Sequence, residues 1–277
     1  MEMKMRTASV AREDLLESGR RQMAQHLQGG RWDARTKVAL TCRILFDNGH
    51  DSGLAGQITA RADGCDGYWT QALGLGFDEI THANLLRVNA DLEVLEGAGM
   101  ANPANRFHSW IYQNRPDVRC VVHTHAVYVA ALSLLEQPLK VAHMDSCMLY
   151  DDVGFLEHWP GVPAGNEEGA LILDTLGSRR AALLAHHGLI IAAGSVEEAC
   201  VLAIQIERTA RLQLLAQVAG PIRDIDRDLA REAHDWILQP SRTAANFAYL
   251  SRRLLREMSL DDARELLGPH QVALTQR

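Results

Sequence analysis

The sequence predicts an α/β domain that ends in a run of helices, and three observations carry that expectation. Short stretches rich in β-branched residues, foremost Val118, Cys120, Val121 and Val122, read as buried strands. Segments between them place apolar residues at helical spacing. Beyond Gly220 only helical patterns remain.

At 277 residues, 47% of them hydrophobic, the chain can bury a sizeable core. A net charge of -7 and a pI near 5.9 give no support to nucleic-acid binding, for which a clustered basic face is needed. Small molecules and further copies of the chain are the expected partners. Glu2, Lys4, Arg6, Arg12, Glu13 and Asp14 replace the apolar core of a signal peptide, and no run is long enough to span a bilayer. A cytoplasmic protein without membrane contact is therefore expected. Cys42, Cys65, Cys120, Cys147 and Cys200 lack CxxC spacing and read as core thiols.

Taken in order, a first helix is expected from about Arg12 to Gln28, with Leu15, Leu16, Met23 and Leu27 on one side and Gly29-Gly30 as its stop. A second runs from about Asp33 to Asp47 and ends at Asn48-Gly49, both helices flanking a sheet. After a loop holding Gly49, Gly53 and Gly56, the stretches Gly56–Arg61 and Tyr68–Leu73 read as a hairpin. A helical turn near Ala83–Leu86 leads to strands at Leu86–Asn89 and Glu93–Glu96. Asn102-Pro103 punctuates the chain before a helix from Ala104 to Asn114, which carries Phe107, Trp110 and Ile111 inward with His108 on or near that face.

A strand from Val118 leads into His123-Thr124-His125, then a helix covers Ala126–Leu135 and a strand-like segment Leu139–Leu149. The Pro- and Gly-containing stretch Tyr150–Ala164 reads as an active-site loop or lid. Asn166 caps a helix to Leu176, and Ala181–His187 with Leu189–Ala193 forms a hairpin or bent strand. The capping box Ser195-Val196-Glu197-Glu198 opens a long amphipathic helix to Gly220, whose Glu207, Arg208 and Arg211 read as a solvated or intersubunit face. Three more helices are expected at about Asp226–Leu238, Thr243–Met258 and Ser259–Leu267. They would pack against a neighbouring subunit or close the site.

The chemistry concentrates at the histidines. Side chains two apart on a strand leave the same face, so His123 and His125 point into one space, which suits a metal ion. A catalytic zinc or iron usually holds three protein ligands and keeps positions open, so the pair is incomplete. His186-His187-Gly188, set in an apolar run, offers the third, and a shared ion would offset the desolvation of a buried imidazole there. His108, one helix earlier, is a candidate acid or base.

Phe77-Asp78-Glu79-Ile80-Thr81, Asn102-Pro103-Ala104, His108, Arg115-Pro116-Asp117-Val118, His123-Thr124-His125 and His187-Gly188 follow one another in an order and spacing that resemble the class II aldolase/adducin family, over roughly Thr36 to Gly220. The resemblance implies a three-layer α/β/α sandwich around a mainly antiparallel sheet in residues 1–220, a helical extension in 221–277, and a homotetramer with active sites between subunits. It also implies His123, His125 and His187 as metal ligands. Sugar-phosphate aldolases of the family place a Glu as acid/base four residues before the helix histidine, where this chain has Ala104. They bind phosphate with serines near the position of Asn102-Pro103 and with a Gly-Asn turn where this chain has Gly56-Gln57, which makes Gln57 and Asn102 the candidate substrate contacts.

An enzyme with the three histidines and without that Glu fits metal-assisted decarboxylation of an aromatic acid, or dioxygen chemistry at iron(II) on an aromatic 2-oxo acid. Within the family the chain is similar to the bifunctional non-haem iron oxygenases of aminocoumarin antibiotic pathways. That similarity implies Fe(II), with Zn(II) or Mn(II) as alternatives, and dioxygen as co-substrate. The substrate implied is a prenylated 4-hydroxyphenylpyruvate, degraded oxidatively to the prenylated 4-hydroxybenzoate. A metal-dependent lyase, decarboxylase or aldolase, is the alternative.

Overall fold

The computed structural model describes residues 11–159, 161 and 166–268. Its centre is one eight-stranded sheet. The strands are β1 (Gln57–Arg61), β2 (Tyr68–Gln71), β3 (Leu85–Val88), β4 (Val94–Glu96), β5 (Cys120–Thr124), β6 (Val153–Leu156), β7 (Ala181–Leu184) and β8 (Gly188–Ala193), in the order β4-β3-β2-β1-β5-β8-β7-β6. All neighbours run antiparallel except β6 and β7.

Period-two alternation sorts the side chains to two faces. Ile58, Val122 and Ile191 stand abreast and join one apolar cluster, while Val121 and Ala192 beside Thr59 face the other. Along the chain the helices are α1 (Arg12–His26), α2 (Ala34–Phe46), α3 (Arg106–Asn114), α4 (Val127–Leu134), α5 (Asn166–Leu176), α6 (Val196–Ala219), α7 (Arg227–Ile237), α8 (Pro240–Glu257) and α9 (Leu260–Leu267). The first cluster is closed by α2, α4 and α6, with α8 packed on α6 and α2, and α9 on α2. The second is closed by α3 and α5 through Phe107, Ile111, Ile172 and Leu176. The expected three-layer sandwich is the one that forms. Each fully buried side chain of this size contributes roughly 1.5–3 kcal/mol, so both layers hold the sheet firmly.

Several local expectations are corrected. No residue of α1 is buried and Leu15 is 59% exposed; rather than flanking the sheet, α1 lies against α8 and pairs Arg12 with Glu232 of α7. Its few apolar residues cannot outweigh its Arg, Glu and Gln content. Leu139–Leu149 is not a strand: it ends in a 3-10 turn, Met144–Leu149, where Ser146 Oγ donates to the His143 carbonyl and accepts from its amide. Such local side-chain bonds compete with a sheet ladder. The expected lid contains β6, which the Gly in Val153-Gly154-Phe155-Leu156 disguised; a Cβ there would meet the Thr175 carbonyl at 2.3 Å. The rest of that lid falls partly outside the described residues. The turn expected at Ala83–Leu86 spans residues 82–84 and gives way to β3 at Leu85, a 3-10 turn precedes it at Phe77–Glu79, Trp110 is only half-buried against α5, and Cys65 is exposed while the other four thiols are buried.

Candidate metal centre

β5 is held on both edges, pairing His123 with Gln57 of β1 and with Ile190 of β8. That register sends the His123 ring to the α3 side, where it meets the edge of Phe107 at 5.4 Å between centroids. His125 follows just past the end of the strand. His187 comes from the turn between β7 and β8, in which His186 adopts a left-handed φ of +56°. This turn separates the two adjacent rings: His186 lies 3.0 Å from exposed Glu136, and His187 joins the other two histidines.

The three rings stand 4.8 Å apart, centroid to centroid, in every pair. His123 Nε2 and His125 Nε2 are 3.0 Å apart, and one ring nitrogen from each histidine lies within 4.8 Å of the others. Metal–nitrogen bonds of about 2.0–2.1 Å set two bound nitrogens roughly 2.9–3.4 Å apart, so the donor set fits one ion after a modest rotation of the rings. His123 Nδ1 donates to the Leu189 carbonyl at 2.9 Å, which leaves Nε2 bare toward the other rings. Close backbone approach makes two glycines part of the site. A Cβ on Gly188 would meet the Thr124 carbonyl at 2.5 Å and His125 Cδ2 at 2.8 Å, and one on Gly56, at φ +106°, would stand 3.1 Å from the His123 carbonyl.

Burial, and then the neighbouring rings, push His123 well below the ordinary imidazole value; burial lowers His125, and burial with His125 brings His187 to about 4. All three are therefore neutral at pH 7, the form that binds a metal. Among the described residues no carboxylate or thiol joins the group.

His108 is fully buried beside Phe107, with Nδ1 2.8 Å from Thr59 Oγ1. Tyr112 Oη donates to the Thr59 carbonyl at 2.9 Å and also lies 2.9 Å from Thr59 Oγ1. One proton assignment satisfies the whole chain: His108 Nδ1–H donates to Thr59 Oγ1, whose own proton goes to Tyr112. His108 Nε2 is then a bare acceptor, and it has no partner among the described residues. Gln57 is buried alongside His123 with Oε1 also unpaired. Asn102 spends its Oδ1 as a cap on the Ala104 amide. Ala104, in place of a carboxylate, packs against the apolar cluster. Asn105 passed unnoticed in the sequence; it is fully buried, donates to Thr70 Oγ1 at 3.0 Å and leaves Oδ1 unpaired. Its place between Asn102-Pro103 and His108 was the available signal.

Two buried histidines outside the metal group add to the acid sensitivity of the fold. Burial lowers His50 from 6.5 to about 4 and His108 to about 3. The unfolded chain takes up these protons below about pH 6.5 and the folded chain does not, so stability falls from there toward pH 4 and then 3. Urea unfolding should give a lower free energy at pH 5 than at pH 7, and an unchanged value would refute the buried neutral state.

Residues 36–214 match the family model described as Class II Aldolase and Adducin N-terminal domain. The chain is 34% identical over 202 residues to "Decarboxylase NovR" of Streptomyces niveus, covering 71% of this chain and 74% of the relative. It is 33% identical over 202 residues to "4-hydroxy-3-prenylphenylpyruvate oxygenase/4-hydroxy-3-prenylbenzoate synthase" of Streptomyces roseochromogenus subsp. oscitans, covering 71% and 72%. Among solved structures, an L-fuculose 1-phosphate aldolase from Glaciozyma antarctica PI12 superposes with a TM-score of 0.76 at 25% identity, over 85% of this chain and 92% of that one.

Proposed function

The chain belongs to the class II aldolase and adducin family, and on that premise we propose that it is an iron(II)-dependent oxygenase acting on an aromatic 2-oxo acid, by oxidative decarboxylation of a prenylated 4-hydroxyphenylpyruvate toward the prenylated 4-hydroxybenzoate. The observation that carries the proposal is a three-histidine group that no carboxylate joins among the described residues, with Ala104 at the position where the resemblance places an aldolase's acid/base. Alanine cannot take the proton next to a carbonyl that aldol chemistry requires. A divalent ion held by His123, His125 and His187 would supply Lewis-acid polarisation and, as iron, redox chemistry with dioxygen.

The residues present support a chelating acid as substrate. Three neutral imidazoles leave the charge of a divalent ion uncompensated, which favours an anionic, chelating group such as a 2-oxo acid. His108 Nε2 and Gln57 Oε1 are acceptors suited to a substrate hydroxyl, and Asn102, whose Oδ1 is engaged, would contribute its amide N–H. With a pKa of about 3, His108 acts at neutral pH by accepting a hydrogen bond rather than by holding a proton. A homotetramer with sites between subunits is part of the same proposal, supported by the exposed Leu134, Leu135, Leu215 and Val218. A cytoplasmic setting belongs to the same proposal; no helix among the described residues is long and apolar enough to cross a membrane.

The second reading, a metal-dependent lyase, is favoured by the decarboxylase and aldolase names among the relatives. Anaerobic protein loaded with Fe(II) should consume oxygen only when given an aromatic 2-oxo acid. Turnover of an aromatic acid with Zn(II) or Mn(II) and without oxygen would replace the oxygenase by the lyase.

A further inference from the structure

The structure assigns Glu207 of α6 the role of a positioning residue that holds His125 in place by clamping the first turn of α4. The inference rests on the proposed metal-ligand role of His125. Glu207 is only 6% exposed, and its two carboxylate oxygens accept the backbone N–H groups of Tyr128 and Val129, each at 2.9 Å. These are the second and third residues of α4, whose N-cap is Ala126, a residue with no side-chain acceptor. A carboxylate from another helix thus supplies what a Ser or Asp N-cap ordinarily supplies, and the positive end of the α4 dipole favours its charge. Arg211, one turn further along α6, stacks over the Tyr128 ring at 5.3 Å, so Tyr128 is bracketed from the same helix.

The consequence for the metal centre follows from how each ring is held. His123 is locked by its Nδ1 bond to the Leu189 carbonyl. Among the described residues His125 has no such bond, its one polar contact being the His123 ring. Its direction is therefore set by the main chain, between Thr124 at the end of β5 and the first turn of α4. Both sides of this junction are fixed: Thr124 Oγ1 lies 2.8 Å from buried His50 Nδ1, and Glu207 holds Tyr128 and Val129. Releasing the clamp frees the junction and the ring it carries.

The test is Co(II) binding by the full chain, read from its visible absorption and by competition with a chelator, for the native protein, Glu207→Gln and Leu202→Ala. The Gln side chain keeps the shape but loses one acceptor, and loss of a group that orients a ligand typically costs about 10–100-fold in metal affinity. Glu207→Gln is expected to weaken Co(II) binding by that factor and to alter the visible bands. Leu202, a buried α6 residue outside the junction, controls for loss of stability: Leu202→Ala should lower the melting temperature with native affinity and spectrum retained. Native affinity and spectrum in Glu207→Gln would overturn the inference, as would an equal loss in Leu202→Ala. Failure of the native protein to bind Co(II) would instead remove the metal reading itself.

Discussion

A His187→Ala variant is expected to lose its metal and its turnover together, with kcat/KM down by more than about 100-fold, because removing even a group that only orients a ligand costs about 10–100-fold. Two imidazoles, His123 on β5 and His125 just past its end, make an incomplete site, and the third comes from a separate turn. Since His187 lies on that turn and is only partly buried, the fold should survive its loss and the melting temperature of the metal-free protein should change little. His186→Ala is the matching control, since that ring faces Glu136 rather than the group. Elemental analysis of both variants decides the matter: full metal content in His187→Ala, or loss in His186→Ala alone, would reverse the assignment of the two neighbours.

Adding a single methyl group at position 188 should be the next most damaging change. The Cβ of a Gly188→Ala variant would stand 2.5 Å from the Thr124 carbonyl and 2.8 Å from His125 Cδ2, and neither is the free end of a flexible chain. Backbone must move, at a cost of about 1–3 kcal/mol for overpacking, and the movement displaces a ring of the metal group. Lower melting temperature and weaker metal binding are expected together, measured by calorimetry and Co(II) titration. Unchanged metal affinity would mean that the β5 exit yields without disturbing His125.

Glu207 illustrates where reading along the chain fails. In sequence it sits with Arg208 and Arg211 on what reads as a solvated flank, yet it is buried because α4 presents two N–H groups that its own N-cap, Ala126, leaves unbonded. Helical spacing says which way a side chain points, not which distant helix end it will meet. Asn105 escaped for the same reason: its partner, Thr70, belongs to β2.

Local pattern by itself determined most of the alternation of strands and helices and the capped start of α6 at Ser195, because strand and helix periods depend on neighbours in the chain; His125 lies just past β5, so its direction depends on the junction to α4. Tertiary structure decided which of His186 and His187 turns inward, that β6 runs parallel to β7, and that α1 stays off the sheet. Those outcomes depend on a left-handed turn, a glycine against a carbonyl of another element, and the balance of apolar area between helices. All three are set by contacts between segments far apart in sequence.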